Sequence, residues 1–164
     1  MADEPPHYCI DTSALINWWD EDYSPDVFEG LPDRMADLID QGRLRSVRAV
    51  RDEIKDSQEE MTLAKWCKAQ AEFYTDDDED IQLQVRQLMA NFQSPKKKLG
   101  IDGADPFVIG RAVLNGPNWY VISNENPHNG NPHKNPNIPY VCDEVGVAHI
   151  RFLDMLRMEG WKLK

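Results

Sequence analysis

Four carboxylates and one hydroxyl stand where a chain of this pattern could do phosphoryl chemistry. Asp11 follows the apolar run Tyr8-Cys9-Ile10 directly, with Ser13 two residues on. Glu53 falls within Val50-Arg51-Asp52-Glu53-Ile54, Asp105 opens the stretch Pro106-Phe107-Val108-Ile109, and Glu125 follows Trp119-Tyr120-Val121-Ile122. Carboxylates gathered at one point repel, so the arrangement is costly unless a cation neutralises them or one of them takes up a proton. The cations suited to such a set are Mg²⁺ and Mn²⁺, hard ions that take oxygen ligands and assist attack on phosphorus. Each acid taken singly has a plainer reading. Asp11 and Asp105 read as helix caps worth about 1 kcal/mol each, Glu53 as a solvated helix face and Glu125 as a loop acid. Asp102 rivals Asp105 across Gly103; Asp105 is preferred because the helix of small and apolar residues begins there.

Positioning these residues is the work of alternating strands and helices. Short strands are expected at 8–10, 44–47, 119–122 and 147–150, from apolar and β-branched runs. Helical spacing predicts helices over 14–19, 27–41 and 48–56, another carrying Leu63, Trp66, Cys67 and Phe73, and one with Ile81, Val85, Leu88 and Phe92 on one stripe. Pro32 suggests a late start for the second. A helix opens near Asp105, with Asp105 as its cap and Pro106 in the first position, and a last helix covers 152–159. Asp76-Asp77-Asp78-Glu79-Asp80 reads as a solvated turn that also caps the helix after it. Residues 126–139, rich in Asn and Pro, read as a long loop, followed by a short turn or helix at 142–146. The alternation predicts an α/β fold with three layers, α/β/α, around a central parallel sheet of four to five strands. In such a sheet ligands bind beyond the carboxyl ends of the strands, where Asp11 and Glu125 fall. No repeat and no linker interrupts residues 1–164, so a single domain is expected.

The totals narrow the classes. The chain has 164 residues, 41% of them hydrophobic, enough to bury a core. No apolar run is long enough to span a membrane, and the opening MADEPPHYCI does not read as a signal peptide, so a cytoplasmic location is expected. Three cysteines, Cys9, Cys67 and Cys142, form no disulfide framework and no CxxC knuckle. The net charge of −11 argues against a general nucleic-acid binder but leaves room for an enzyme that meets nucleic acid through a divalent cation. Lys96-Lys97-Lys98 is the one concentrated basic stretch, read as a phosphate contact or a solvated turn. His128, His133 and Cys142 lack the spacing of a zinc site. Of Trp18 and Trp19, one is expected in the core and the other at a partner surface.

Tyr8 to Ile16 resembles the opening of PIN domains, where a strand ends in Asp-x-Ser. Val50 to Ile54 is similar to their second motif, a Glu three residues after a Val. Ala104 to Ile109 looks like the third, an Asp opening a helix, and Val121 to Glu125 like the fourth, a strand and then Ser/Thr-x-acid. The order holds over nearly the whole chain. Ile138-Pro139 to Cys142, Gly146-Val147 and Gly160-Trp161 look like a bacterial and archaeal PIN-like subgroup. The resemblance implies a PIN-like fold and a metal-dependent ribonuclease, often the toxin of a toxin–antitoxin pair similar to VapC. It implies Asp11, Glu53, Asp105 and Glu125 as ligands of Mg²⁺ or Mn²⁺, with Ser13 orienting Asp11. It further implies RNA as substrate, an antitoxin protein as partner and a possible homodimer. Glu125 stands where most of the family has Asp. A rival reading is an inactive PIN-like interaction scaffold. A phosphatase using Asp11 as nucleophile needs a second Asp where this chain has Ser13.

Overall fold

In the computed structural model, residues 4–55, 61–92, 103–126 and 137–162 are described. Asp102, Lys96–Lys98, His128 and His133 lie outside them. The elements run β1 (His7–Ile10), α1 (Thr12–Ile16), a π-helical turn (Asn17–Asp22), α2 (Leu31–Asp40), β2 (Leu44–Val47), α3 (Arg48–Lys55), α4 (Met61–Ala69), β3 (Tyr74–Thr75), α5 (Glu79–Phe92), α6 (Asp105–Asn115), β4 (Trp119–Ile122), α7 (Ile138–Val145), β5 (Ala148–Ile150) and α8 (Phe152–Met158). The five strands pair in parallel, in the order β3-β2-β1-β4-β5. Helices flank this sheet in a three-layer α/β/α arrangement. Among the described residues, no helix is long and apolar enough to cross a membrane.

The central strands β1 and β4 are short apolar runs buried most fully toward their carboxyl ends, as expected in a parallel sheet covered on both faces. Tyr8, Cys9 and Ile10 are wholly buried in β1, as are Val121 and Ile122 in β4. These two strands form the middle of the sheet, in register from His7 against Trp119 to Ile10 against Ile122. From β1 the chain winds outward through β2 to β3, then returns to the other side of β1 for β4 and β5. The topological switch point therefore lies between β1 and β4, where a crevice opens beyond the strand ends.

Several expected boundaries shift. The second helix begins at Leu31, four residues later than the apolar spacing predicts, because residues 24–28 close a turn in which Val27 and Phe28 both donate to the Ser24 carbonyl. The first helix is only five residues long and passes into the π-helical turn. The fourth stops at Ala69, short of Phe73, with Glu72 at φ 63°. The edge strand β3 is two residues long and was not expected; Tyr74 and Thr75 pair with Ser46 and Val47. The charge run caps α5 as expected, with Asp78 accepting from the Ile81 amide at 3.0 Å. At the other end of the loop, α7 starts at Ile138, four residues before the expected turn, because Asn137 caps it through the Tyr140 amide.

One buried polar cluster fastens the C-terminal helix to the centre of the sheet. Glu159, just past α8, pairs with Arg43 and accepts from the Tyr8 hydroxyl. The Arg43 and Glu159 side chains are 11% and 8% exposed, and burial with the neighbouring carboxylate pushes the Tyr8 hydroxyl pKa up. Removing one member of a buried pair leaves the other charge unsatisfied. Glu159→Ala should therefore cost about 3 kcal/mol, a fall in Tm of roughly 10 °C for a chain of this size, readable by thermal unfolding. An unchanged Tm would show that the pair is solvent-screened.

Candidate metal centre

The site begins with β1. The strand ends at Ile10, and the Asp11 amide donates to the Ile122 carbonyl at 3.0 Å, continuing the ladder one step past the strand. Asp11 is extended (φ −94°, ψ 175°) and caps α1. Its Oδ1 accepts from the Ala14 amide at 3.1 Å and the Ser13 hydroxyl at 2.8 Å. Both bonds fall on Oδ1, and Oδ2 receives none among the described residues. The cap therefore engages one oxygen of the carboxylate.

Ser13 joins the two central strands. Its hydroxyl donates to Asp11 and accepts from the Asn124 amide at 2.9 Å. The acid-bearing corner after β1 is thus pinned to the chain leaving β4. Beyond Asn124, Glu125 turns back: its amide donates to the Ser123 hydroxyl at 3.3 Å, and its Oε2 accepts from the Ile138 amide at 2.7 Å. The Asn137 side-chain amide reaches the Asn126 carbonyl at 2.8 Å. These bonds hold the two described ends of the 126–139 segment together beside the site. The Ser123 hydroxyl also meets His149 Nε2 at 2.7 Å. Burial, then the Arg151 charge, lowers the His149 pKa to about 4, so the ring is neutral at pH 7.

Asp105 arrives from the other side. A helix that feeds a parallel strand runs antiparallel to it, so the start of α6 lies at the carboxyl edge of the sheet. Asp105 is the first residue of α6, and Ala104 occupies the cap position with no side-chain cap bond. The expectation that Asp105 is the cap is corrected, since Ala104 already has helical dihedrals (φ −79°, ψ −19°). The outcome is a group of three: Asp11, Asp105 and Glu125 each offer one carboxylate oxygen, all within 4.8 Å of one another.

Glu53 stands outside that group. Its Oε1 accepts from the Ala104 amide at 3.0 Å, and its Oε2 from the Thr12 hydroxyl. Glu53 therefore ties the residue after Asp11 to the residue before Asp105, and the structure gives it a positioning geometry where the sequence pattern suggested a ligand. Gly103 makes room for this tie: a Cβ there would lie 2.7 Å from Glu53 Oε1, and its φ is +56°. Glu125 shows the reverse. One methylene longer than Asp, it reaches the group directly.

Among the described residues, the other expected features do not join the group of three. Trp18 is wholly buried, and Trp19 packs edge-on against it and donates to the Thr62 hydroxyl, so both tryptophans serve the aromatic core. Cys9, Cys67 and Cys142 are free and buried. Sequence reasoning missed Asn17, buried at 5% exposure and bonded to Asp22, and Arg151, which donates to Asn124 Oδ1 at 2.9 Å. Together with Tyr23 and Phe152 they line a cleft of about 260 Å³ that reaches Asn124. Lone Asn and Arg residues at helix and strand ends carry no spacing signal that could have marked them.

The model of one known family matches residues 8–163, the Domain of unknown function (DUF4411). The chain belongs to this family. No curated protein is significantly similar to the chain. The family's matched span covers every residue of the site described above.

The electrostatics of Asp11 yield a sign. Burial is the main cause that raises its pKa from 3.8 to about 7; the Glu125 and Glu53 charges add to it, while the Ser13 and Ala14 hydrogen bonds oppose it. An acid whose folded pKa is raised binds its proton more tightly folded than unfolded. Its contribution to stability is therefore most favourable below about pH 4 and is lost as pH rises through 7. In metal-free buffer, the Tm of the wild type minus that of Asp11→Asn should fall between pH 4 and pH 8. A pH-independent difference would contradict the buried, uncompensated carboxylate. Separately, Gly103→Ala should destabilise by about 1–2 kcal/mol, the cost of a side chain in the left-handed region; denaturant unfolding reads it, and a neutral result would mean the turn adapts.

Proposed function

We propose that this chain is a PIN-like, metal-dependent ribonuclease whose Asp11, Asp105 and Glu125 hold Mg²⁺ or Mn²⁺. The observation that carries the reading is the three-carboxylate group at the switch point, with Asp11 buried and, among the described residues, no cation among the groups chiefly acting on it. The donor set fits the ion: three carboxylates from three segments supply hard oxygen ligands, leave coordination positions for water, and relieve their own repulsion on binding. A divalent cation in such a site supplies Lewis acidity and activation of water for in-line attack on a phosphodiester.

The chain's own groups have defined parts in this reading. Ser13 holds Asp11 through Oδ1, and the carboxylate so held would be one ligand of the cation. Glu53 orients the segments bearing Asp11 and Asp105 rather than serving as a fourth direct ligand. Glu125 is steadied by the Ile138 amide while it takes part. The products are two RNA fragments, one ending in a phosphate and the other in a hydroxyl. The wider role follows from the motif resemblance: a cytoplasmic toxin of a toxin–antitoxin pair, with an antitoxin protein as partner and a homodimer as its assembly. Three free, buried thiols suit a reducing compartment.

The test pairs binding with turnover. Asp11→Asn and Asp105→Asn should each abolish the calorimetric Mn²⁺ signal. Each should lower RNA cleavage by at least about a hundredfold, beyond the 10- to 100-fold typical of groups that only orient a ligand. Circular dichroism should stay unchanged. Glu53→Gln should weaken Mn²⁺ binding within that 10- to 100-fold range. Undiminished cleavage by Asp11→Asn would refute the ribonuclease assignment, and Mn²⁺ binding without cleavage in the wild type would favour the scaffold reading.

A further inference from the structure

One cavity lies away from the three acids. It is a cleft of about 580 Å³ between α3, α4 and β3, and Arg51, Lys55, Lys65, Lys68, Gln70 and Tyr74 line it. Helical spacing explains the convergence. Arg51 and Lys55 are four residues apart on α3, and Lys65 and Lys68 three apart on α4, so each pair shares one helix face. All four cations are exposed, whereas Tyr74 is half-buried. Among the described residues, the only ion pair made by any of the four is Arg51 with Asp52 at 3.3 Å, and that pair is itself exposed. In a chain of net charge −11, with 29 acids to 18 cations, four cations around one cleft run against the overall balance.

We infer that this cleft is a phosphate-binding subsite for single-stranded RNA, and that it holds the chain to one side of the scissile bond. The inference rests on the ribonuclease reading and specifies where its substrate lies. Two observations favour a polynucleotide over an acidic protein. First, α3 carries both features. Glu53 on this helix ties the acid-bearing segments, while Arg51 and Lys55, two residues to either side, line the cleft. One helix thus carries a residue bonded to the acid-bearing segments and, two positions to either side, the cations of the cleft. Second, the cleft combines cations with an aromatic ring: lysines and an arginine track phosphates without reading bases, and a ring offers a stacking surface. The three carboxylates themselves add no attraction for a polyanion, so a cationic surface beside them supplements whatever a bound cation supplies.

The experiment uses the full-length Asp11→Asn chain, which does not turn over, and a fluorescently labelled single-stranded RNA without secondary structure. Binding is measured over a series of salt concentrations. Adding Lys65→Gln and Lys68→Gln should weaken binding at least tenfold at low salt. It should also reduce the slope of log K against log salt by about 1.4, from about 0.7 per lost phosphate contact on a single strand. Calorimetric Mn²⁺ binding, measured with the same two lysine substitutions in the otherwise wild-type chain, should be unchanged, because neither lysine touches the acids. An unchanged affinity and slope would overturn the inference, as would the absence of RNA binding. Poly-glutamate binding as tightly as the RNA would also overturn it, in favour of an acidic protein partner. Failure of the ribonuclease reading looks different: the wild type would leave RNA intact while binding still depended on Lys65 and Lys68.

Discussion

Asp11 is a carboxylate 4% exposed at the end of the central strand, and among the described residues the groups acting on it include one hydroxyl, one amide and two further carboxylates. A charge in that position is unfavourable by desolvation and by repulsion together. The surrounding structure is arranged to hold the charge in place all the same. The cap of α1 engages one oxygen, the Ser13 hydroxyl links that oxygen to the chain leaving β4, and the ladder extends one bond past the strand to fix the Asp11 backbone. Helix capping alone does not explain the other two acids at the same place, since Asp105 comes from α6 and Glu125 from the segment after β4. Three independent segments bring like charges together at a topological switch point. That cost is relieved when one of the acids takes up a proton or a cation is bound.

The convergence depends on connections one step removed from the acids. Glu53 reaches from α3 to both the Thr12 hydroxyl and the Ala104 amide. Its carboxylate thus gathers the starts of α1 and α6, the helices that follow or carry two of the three acids. Gly103 matters to that tie for two reasons, its left-handed dihedral and the closeness of Glu53 to the place a Cβ would occupy. Glu125 is steadied from outside, by the first amide of α7. The segments bearing Asp11 and Asp105 are thus joined through α3, and Glu125 is held by the start of α7.

Much of this was legible in the sequence, and the remainder was hidden for identifiable physical reasons. The strands β1 and β4 are apolar runs with few alternatives, β2 and β5 are weaker signals, and the acids following β1 and β4 fall at the carboxyl edge by topology alone. The edge strand β3 was hidden because two residues cannot show a period of two, and because Phe73 looked like the end of a helical stripe. The role of Glu53 was hidden because a Glu on an amphipathic helix has the same spacing whether it meets solvent, a cation or two backbone segments. Asp105 was legible as a helix start but not as its first residue rather than its cap, since both positions favour an acid. The greater reach of Glu125 cannot be read from a motif; it follows from where the chain turns after Ser123.

Charge also divides this molecule in a way that net charge conceals. Helix α3 carries Glu53 toward the acid-bearing segments, and Arg51 and Lys55 toward the cleft shared with α4. The position of α4 depends in turn on the aromatic cluster: Trp66 packs against both Trp18 and Trp19, and Trp19 donates to Thr62. The π-helical turn that follows α1 thus sets where Lys65 and Lys68 stand, by packing rather than by charge. A single aromatic contact surface couples the acidic edge to the basic cleft. An overall charge of −11 describes neither surface, and a partner approaching this protein meets the local field of one cleft before it meets the sum.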